Sequence, residues 1–130
     1  MEHKQLTDVV MALDVTIECE KRRLLTDDER TDWKDGTAWT VRLKYQGRSL
    51  TTSFYQGSAH KVAPTAADVL ACLASDARSG EESFEDFCDS FGYDADSRKA
   101  HKTWKACARM TKQLHQFLGD KFDEVADAEH

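Results

Sequence analysis

The sequence predicts an α+β fold, in which a three-stranded antiparallel sheet precedes three helices within a single domain, residues 1–130. Two observations support this prediction. Apolar residues alternate with polar ones in the first half of the chain, and they recur at three- and four-residue intervals after the only proline, Pro64. With 130 residues, 40% of them hydrophobic and 32% charged, the chain has the length and composition of one ordinary folded core.

Three segments show the period-two alternation of half-buried strands. They cover about residues 12–20, 37–45 and 48–56. Gln46 and Gly47 separate the last two segments, and glycine tolerates the positive φ that a two-residue hairpin turn requires. We therefore predict a hairpin in which Leu43 faces Leu50, with the first strand joining it.

Helical spacing predicts three helices after Pro64. They cover about residues 65–78, 83–91 and 97–118. Thr65 and Ser83 precede the first two helices and are residues that cap helix N-termini well. In the second helix Phe84, Phe87 and Phe91 fall on one side, which predicts an aromatic inner face.

The two ends of the chain, residues 1–11 and 120–130, are expected to be mobile. No segment approaches the roughly 18 apolar residues that predict a membrane span, and the first residues do not resemble a secretory signal. We therefore expect a cytoplasmic location. The cysteines lie far apart within apolar patterns and are expected to be reduced core residues. They are Cys19, Cys72, Cys88 and Cys107.

No pattern in the sequence predicts catalysis. The chain has neither a nucleophile elbow nor a phosphate-binding glycine loop. Asp94 and Asp96 have the spacing of a calcium loop, but the positions that should hold glycine and glutamate are Lys99 and Lys105. His60 lies at the predicted strand-to-helix corner, where a structural role is favoured over a site. We predict no catalytic residue, no metal site and no cofactor.

The charges are segregated along a chain whose net charge is −6. Residues 81–96 contain seven acids and no base. These acids are Glu81, Glu82, Glu85, Asp86, Asp89, Asp94 and Asp96. Such a segment can steer a protein onto a basic partner. It is also compatible with an ordinary solvated face that the neighbouring helix partly neutralises.

The third predicted helix has a basic outer face. Its cations are Arg98, Lys99, Lys102, Lys105, Arg109 and Lys112. They could contact nucleic acid, although no aromatic residues are interleaved on the outward side. The acidic total also argues against general nucleic-acid binding, which needs clustered cations.

The chain contains six distinctive motifs, Y-Q-G-R-S-L-T (45–51), G-S-A-H (57–60), P-T-A-A-D-V-L (64–70), L-A-S-D-A (73–77), S-F-E-D-F-C (83–88) and F-G-Y-D-A-D-S-R-K-A (91–100). In combination they resemble those of a family of short proteins encoded by tailed bacteriophages and prophages. The family usually has G-x-G-H at the corner, where this chain has Ala59. The resemblance implies a phage or prophage origin and transfers no catalytic residue.

The leading hypothesis is therefore a phage-encoded anti-defence inhibitor, similar to anti-CRISPR proteins, that acts in the host bacterial cytoplasm. It would bind a host effector, with a CRISPR-Cas effector as the first candidate, through the acidic segment and without catalysis. The alternative is a phage regulatory or DNA-metabolism accessory protein that binds nucleic acid through the basic third helix. A small enzyme built around His60 is a further rival, and a homodimer is left open.

Overall fold

A computed structural model describes residues 4–25, 36–56 and 62–128 and confirms the α+β class. The elements are α1 (Leu6–Leu13), β1 (Thr16–Leu24), β2 (Thr37–Tyr45), β3 (Arg48–Gln56), α2 (Ala66–Gly80), α3 (Phe84–Phe91), α4 (Arg98–Leu118), a 3₁₀ turn (Gly119–Lys121) and α5 (Phe122–Ala126). The three strands form one antiparallel sheet in the order β1-β2-β3. His60 and its corner, residues 57–61, lie outside the described residues.

The β2–β3 hairpin forms as predicted. Leu43 lies opposite Leu50, and the turn residues Gln46 and Gly47 have φ values of 48° and 77°. Both positive values match the two-residue turn whose twist suits a hairpin. The hairpin register therefore follows directly from the local sequence.

The first strand begins later than predicted, and a helix precedes it. β1 covers Thr16–Leu24 instead of 12–20, because α1 occupies Leu6–Leu13 and ends at Asp14 in the left-handed region. Leu6, Val9 and Val10 are buried in the core at helical spacing. Leu13 fits both this helical pattern and the strand alternation, which explains the wrong boundary. β1 also contains a bulge between Cys19 and Lys21.

The prediction of three helices was wrong in number, because the described residues also form α1 and α5. The three predicted helices are α2, α3 and α4, with boundaries close to those expected. After α4 the chain turns through the 3₁₀ segment into α5, whose Phe122 and Val125 are buried in the main core. Parts of both ends for which we expected mobility thus contribute core side chains.

One core joins the sheet to the helices. Val41 and Leu43 of β2 belong to the same buried cluster as Leu70 of α2 and Leu114 of α4. The opposite face of the sheet is polar and carries ion pairs such as Lys44 with Glu18. None of the helices in the described residues has the length and apolarity needed to cross a membrane.

α2 and α4 approach each other closely where α2 ends. The Thr111 hydroxyl donates a hydrogen bond to the carbonyl of Ala77 at 2.7 Å. A Cβ atom at Gly80 would overlap the Cys107 carbonyl oxygen and the Thr111 hydroxyl. Glycine at position 80 therefore permits the contact that positions α4, and with it the α3 helix that packs on its first half.

Candidate functional site

α3 is a short helix with defined ends. The Ser83 hydroxyl accepts a hydrogen bond from the Asp86 backbone N–H at 3.2 Å, which caps its first turn. Gly92 has a φ of 70° and donates its N–H to the Cys88 carbonyl, which ends the helix. The cap at Ser83 confirms the sequence prediction.

Aromatic contacts hold α3 against α4. The Phe84 ring stacks on His101 with 3.9 Å between ring centroids, and it meets the Trp104 ring edge-on at 5.6 Å. Phe87 and Cys88 are buried. The inner face of α3 is thus fixed by packing, and its opposite face is presented outward in one orientation.

The outward face of α3 carries three exposed carboxylates, Glu85, Asp86 and Asp89. Within residues 4–25, 36–56 and 62–128, none of the three forms an ion pair. Their negative charge is therefore available to a partner. We call these three residues the acidic face.

Phe91 lies at the end of α3, and 54% of its surface is exposed. Its ring contacts are with Phe87 at 4.8 Å and Tyr93 at 6.3 Å. Helical spacing predicted that Phe91 would be covered on the inner face with Phe84 and Phe87, and its exposure shows that this prediction was wrong. The structure thus presents an exposed aromatic ring at the end of α3, on the side of the helix that carries Phe87 and not on the acidic face.

The other acids of the predicted site have different surroundings. Glu81 forms a salt bridge with Arg78 at 2.9 Å and lies 3.8 Å from the His115 ring nitrogen. Glu82 is half-buried, and its Oε2 atom has no hydrogen-bond partner among the described residues. Asp94 accepts a hydrogen bond from the backbone N–H of Asp96 at 3.0 Å, within the turn before α4.

Asp96 itself is exposed and lies just before the N-cap of α4, Ser97. Of the seven predicted residues, the structure therefore brings three together on one helix face. Three others form internal contacts or are partly buried, and Asp96 lies on the connecting turn. The sequence located the acidic segment but could not distinguish these roles.

All six cations of the predicted basic face of α4 are exposed, as expected. They form no ion pair within the described residues, so the acidic face does not neutralise them. α3 packs on the side of α4 that carries His101 and Trp104. Negative and positive surfaces are consequently adjacent but separate.

The cysteines offer no activated thiol. Burial raises the pKa of the thiols of Cys19, Cys72, Cys88 and Cys107, which favours the protonated, less nucleophilic form. Cys88 is buried and Cys19 and Cys107 are half-buried, whereas Cys72 is exposed, against the expectation of a core residue. In the described part of the chain no group of histidine, cysteine or acidic residues is arranged to hold a metal ion.

A groove of about 670 Å³ lies between α1, β1 and the start of α2. Met11, Ile17 and Pro64 are among its apolar lining residues. Asp68 also borders it, but its carboxylate accepts the Thr65 backbone N–H in the α2 capping box. The groove therefore has an apolar side, and the Asp68 carboxylate on its border is already engaged in capping α2.

A comparison of the chain with profiles of known protein families, with curated proteins and with solved structures found no match. The candidate site therefore depends on its own geometry. That geometry consists of an acidic face on α3, an exposed aromatic ring at the end of α3 and a basic face on α4.

Proposed function

We propose that this chain is a phage-encoded anti-defence inhibitor that binds a basic surface of a host effector protein and performs no chemistry. The observation that supports the proposal is the acidic face, in which Glu85, Asp86 and Asp89 have no ion partner in the described residues. The phage origin comes from the sequence resemblance. A CRISPR-Cas effector is the first candidate partner, because its channels for guide RNA and target DNA are basic.

An exposed aromatic ring is a favourable docking element. Aromatic residues are enriched at protein interfaces, where they fill pockets in the partner, while charged groups form the rim and steer the encounter. Phe91 supplies such a ring at the end of the helix that carries the acidic face. The packing of Phe84 and Phe87 on the inner side reduces the entropy that ordering α3 on binding would cost.

The binding test uses a purified effector complex and titrates the chain against it by calorimetry. Glu85→Lys together with Asp89→Lys should weaken binding at least tenfold, because attraction to the basic surface becomes repulsion. The matched control is Asp8→Lys with Asp120→Lys, two exposed acids elsewhere whose replacement changes the net charge equally. Equal weakening by both pairs would show only a general charge effect and would contradict the proposal.

A second variant separates the aromatic contribution from the electrostatic one. Phe91→Ala should change the association rate constant only slightly and should raise the dissociation rate constant. An apolar anchor acts mainly after the two proteins have met. The variant with both Glu85→Lys and Asp89→Lys should lower the association rate and make binding less salt-dependent. Unchanged rates in both variants would exclude α3 as the interface.

Inhibition can be measured in bacteria with an active CRISPR system that targets a phage. Expression of the chain should restore plaque formation, and the Glu85→Lys, Asp89→Lys variant should not. In vitro, a binding inhibitor should block the effector at one chain per complex, whereas an enzyme would inactivate many effectors per chain. Inactivation at far less than equimolar amounts would replace the proposal with a catalytic one.

A further inference from the structure

The outward face of α4 carries a straight row of cations. We call it the basic row, and it consists of Arg98, Lys102, Lys105, Arg109 and Lys112. Successive members are four, three, four and three residues apart. At about 100° per residue all five lie within an arc of about 80°, and at 1.5 Å per residue they extend along about 21 Å of the helix. Lys99 lies about 60° outside this arc.

The basic row lies opposite the buried side of α4. The fully buried residues of this helix are Ala100, Leu114 and Leu118. All members of the row are exposed and none forms an ion pair in the part of the chain that the structure describes. The sheet differs in this respect, because Arg42 and Lys44 each pair with a glutamate of β1.

The row is unfavourable for the stability of α4. Residues three or four apart are neighbours on a helix surface, where like charges repel, and the row contains four such neighbour pairs in succession. Arg98 also lies in the first helical turn, where the helix dipole disfavours a cation, and that turn contains no acid. An ordinary solvated helix face alternates the two signs. Stability therefore does not explain this arrangement.

We propose that the basic row binds the phosphate backbone of double-stranded DNA. Along about 21 Å of the duplex axis each strand carries about six phosphates, at one per 3.4 Å of axial rise, so a duplex of this length offers more phosphates than the row has cations. The row lacks aromatic residues on which unpaired bases could stack, so a duplex fits it better than a single strand. Contacts of this kind are independent of base sequence.

The net charge of −6 does not prevent this contact. At physiological salt the interaction between exposed charges is screened beyond about 8 Å. A DNA duplex at α4 therefore experiences the charge of the basic row more than the net charge of the chain. α3 packs on the side of α4 that carries His101 and Trp104, so it leaves the row uncovered. This inference stands apart from the proposed function, since it uses a different surface, although one partner could engage both.

The test measures fluorescence anisotropy of a labelled 20-base-pair DNA duplex titrated with the full chain at several salt concentrations. Five phosphate contacts predict that the logarithm of the association constant falls with the logarithm of the salt concentration with a slope of about −4.5. The single strand of the same sequence should bind more weakly. No binding at 50 mM salt would overturn the proposal, and so would tighter binding of the single strand. An RNA duplex that binds as well as the DNA duplex would extend the proposal to duplex nucleic acid in general.

Neutralising variants locate the contact. Lys102→Gln with Arg109→Gln should weaken binding about tenfold or more and reduce the size of the slope by about 2. Lys4→Gln with Lys21→Gln is the matched control, because both lysines are exposed outside α4 and the net charge changes equally. Equal effects of the two pairs would contradict the inference. Thermal unfolding checks the fold, and the row variant should be at least as stable as the parent, because all four repulsive neighbour pairs of the row are removed.

Discussion

The Trp104 indole N–H donates a hydrogen bond to the backbone carbonyl of Glu82, with 3.0 Å between nitrogen and oxygen. This bond connects α4 to the turn between α2 and α3. The Phe84 ring packs edge-on against the same indole at 5.6 Å. Trp104 therefore fixes the position from which the acidic face projects.

Trp104→Phe should lower the free energy of unfolding by about 1 kcal/mol, because the Glu82 carbonyl loses its partner while most of the packing remains. Urea unfolding measures this loss. Trp39→Phe is a matched control, since the Trp39 indole donates to the Gln56 side chain at 2.7 Å, away from α3. Only Trp104→Phe should accelerate amide hydrogen exchange in α3. Equal exchange in the two variants would contradict the role assigned to Trp104.

Gly80→Ala should destabilise the protein, by about 1–3 kcal/mol, although alanine is the better helix former. The added methyl group would overlap the backbone of Cys107 and the Thr111 hydroxyl, so α2 and α4 must separate. Ser79→Ala, one residue earlier in the same helix, should be neutral or slightly stabilising. Thermal unfolding of both variants tests the contrast, and a Gly80→Ala variant as stable as the parent would show that the helices adjust freely.

Local signals in the sequence predicted the hairpin and the caps. Gln46 and Gly47 define the turn, and Thr65 caps α2 as predicted, in a reciprocal capping box with Asp68. α1 was missed because Leu13 satisfies two periodicities at once. The close contact at Gly80 was missed as well, since it depends on residues of α4 that lie far along the chain.

The candidate site was predictable as a charged segment but not as a surface. Whether a carboxylate has an ion partner within the protein depends on residues distant in sequence, such as His115 near Glu81. The exposure of Phe91 depends on where α4 packs on α3, and helical spacing cannot give that. The basic face of α4, by contrast, was visible from the sequence, because every member belongs to one helix.

Arg78 connects the end of α2 to the C-terminal segment. Its guanidinium binds Glu81, Asp123 and Asp127 and lies over the Phe122 ring at 5.1 Å. Partial burial acts to lower the pKa of Arg78, but its hydrogen bonds to Glu81 and Asp127 outweigh that effect and raise the pKa. The cation is therefore held in its charged form within a network of three carboxylates.

Arg78→Gln should lower the free energy of unfolding by about 1–2 kcal/mol, more than an isolated surface pair would. Amide exchange in α5 should accelerate, because two of the lost bonds hold that region. Lys121→Gln removes only a 3.7 Å pair with Glu124 and should change stability by less than about 0.5 kcal/mol. The Arg78 effect should shrink in 1 M salt, and a loss independent of salt would point to packing on Phe122 instead.

Glu18 and Lys44 pair across β1 and β2 on the outer face of the sheet, with 2.8 Å between the Lys44 Nζ and the Glu18 Oε1. The hydrogen bond from Lys44 and the charge of Lys44 lower the pKa of Glu18 below its ordinary value of about 4.5, and Arg42 contributes least to this lowering. A lowered pKa means that the folded state favours the carboxylate. The pair therefore stabilises the fold above about pH 4.5, and that contribution is lost as the pH falls through the lower pKa of the folded state.

Lys44→Gln should return the pKa of Glu18 towards its ordinary value, and Arg42→Gln should shift it much less. An NMR titration of the Glu18 side-chain carboxyl carbon measures both shifts directly. The stability of the Lys44→Gln variant should also depend less on pH below 4.5, because the difference between the folded and unfolded pKa of Glu18 has been reduced. A larger shift in Arg42→Gln would instead assign the lowered pKa to the general positive field of β2, since Lys44 and its hydrogen bond remain intact in that variant.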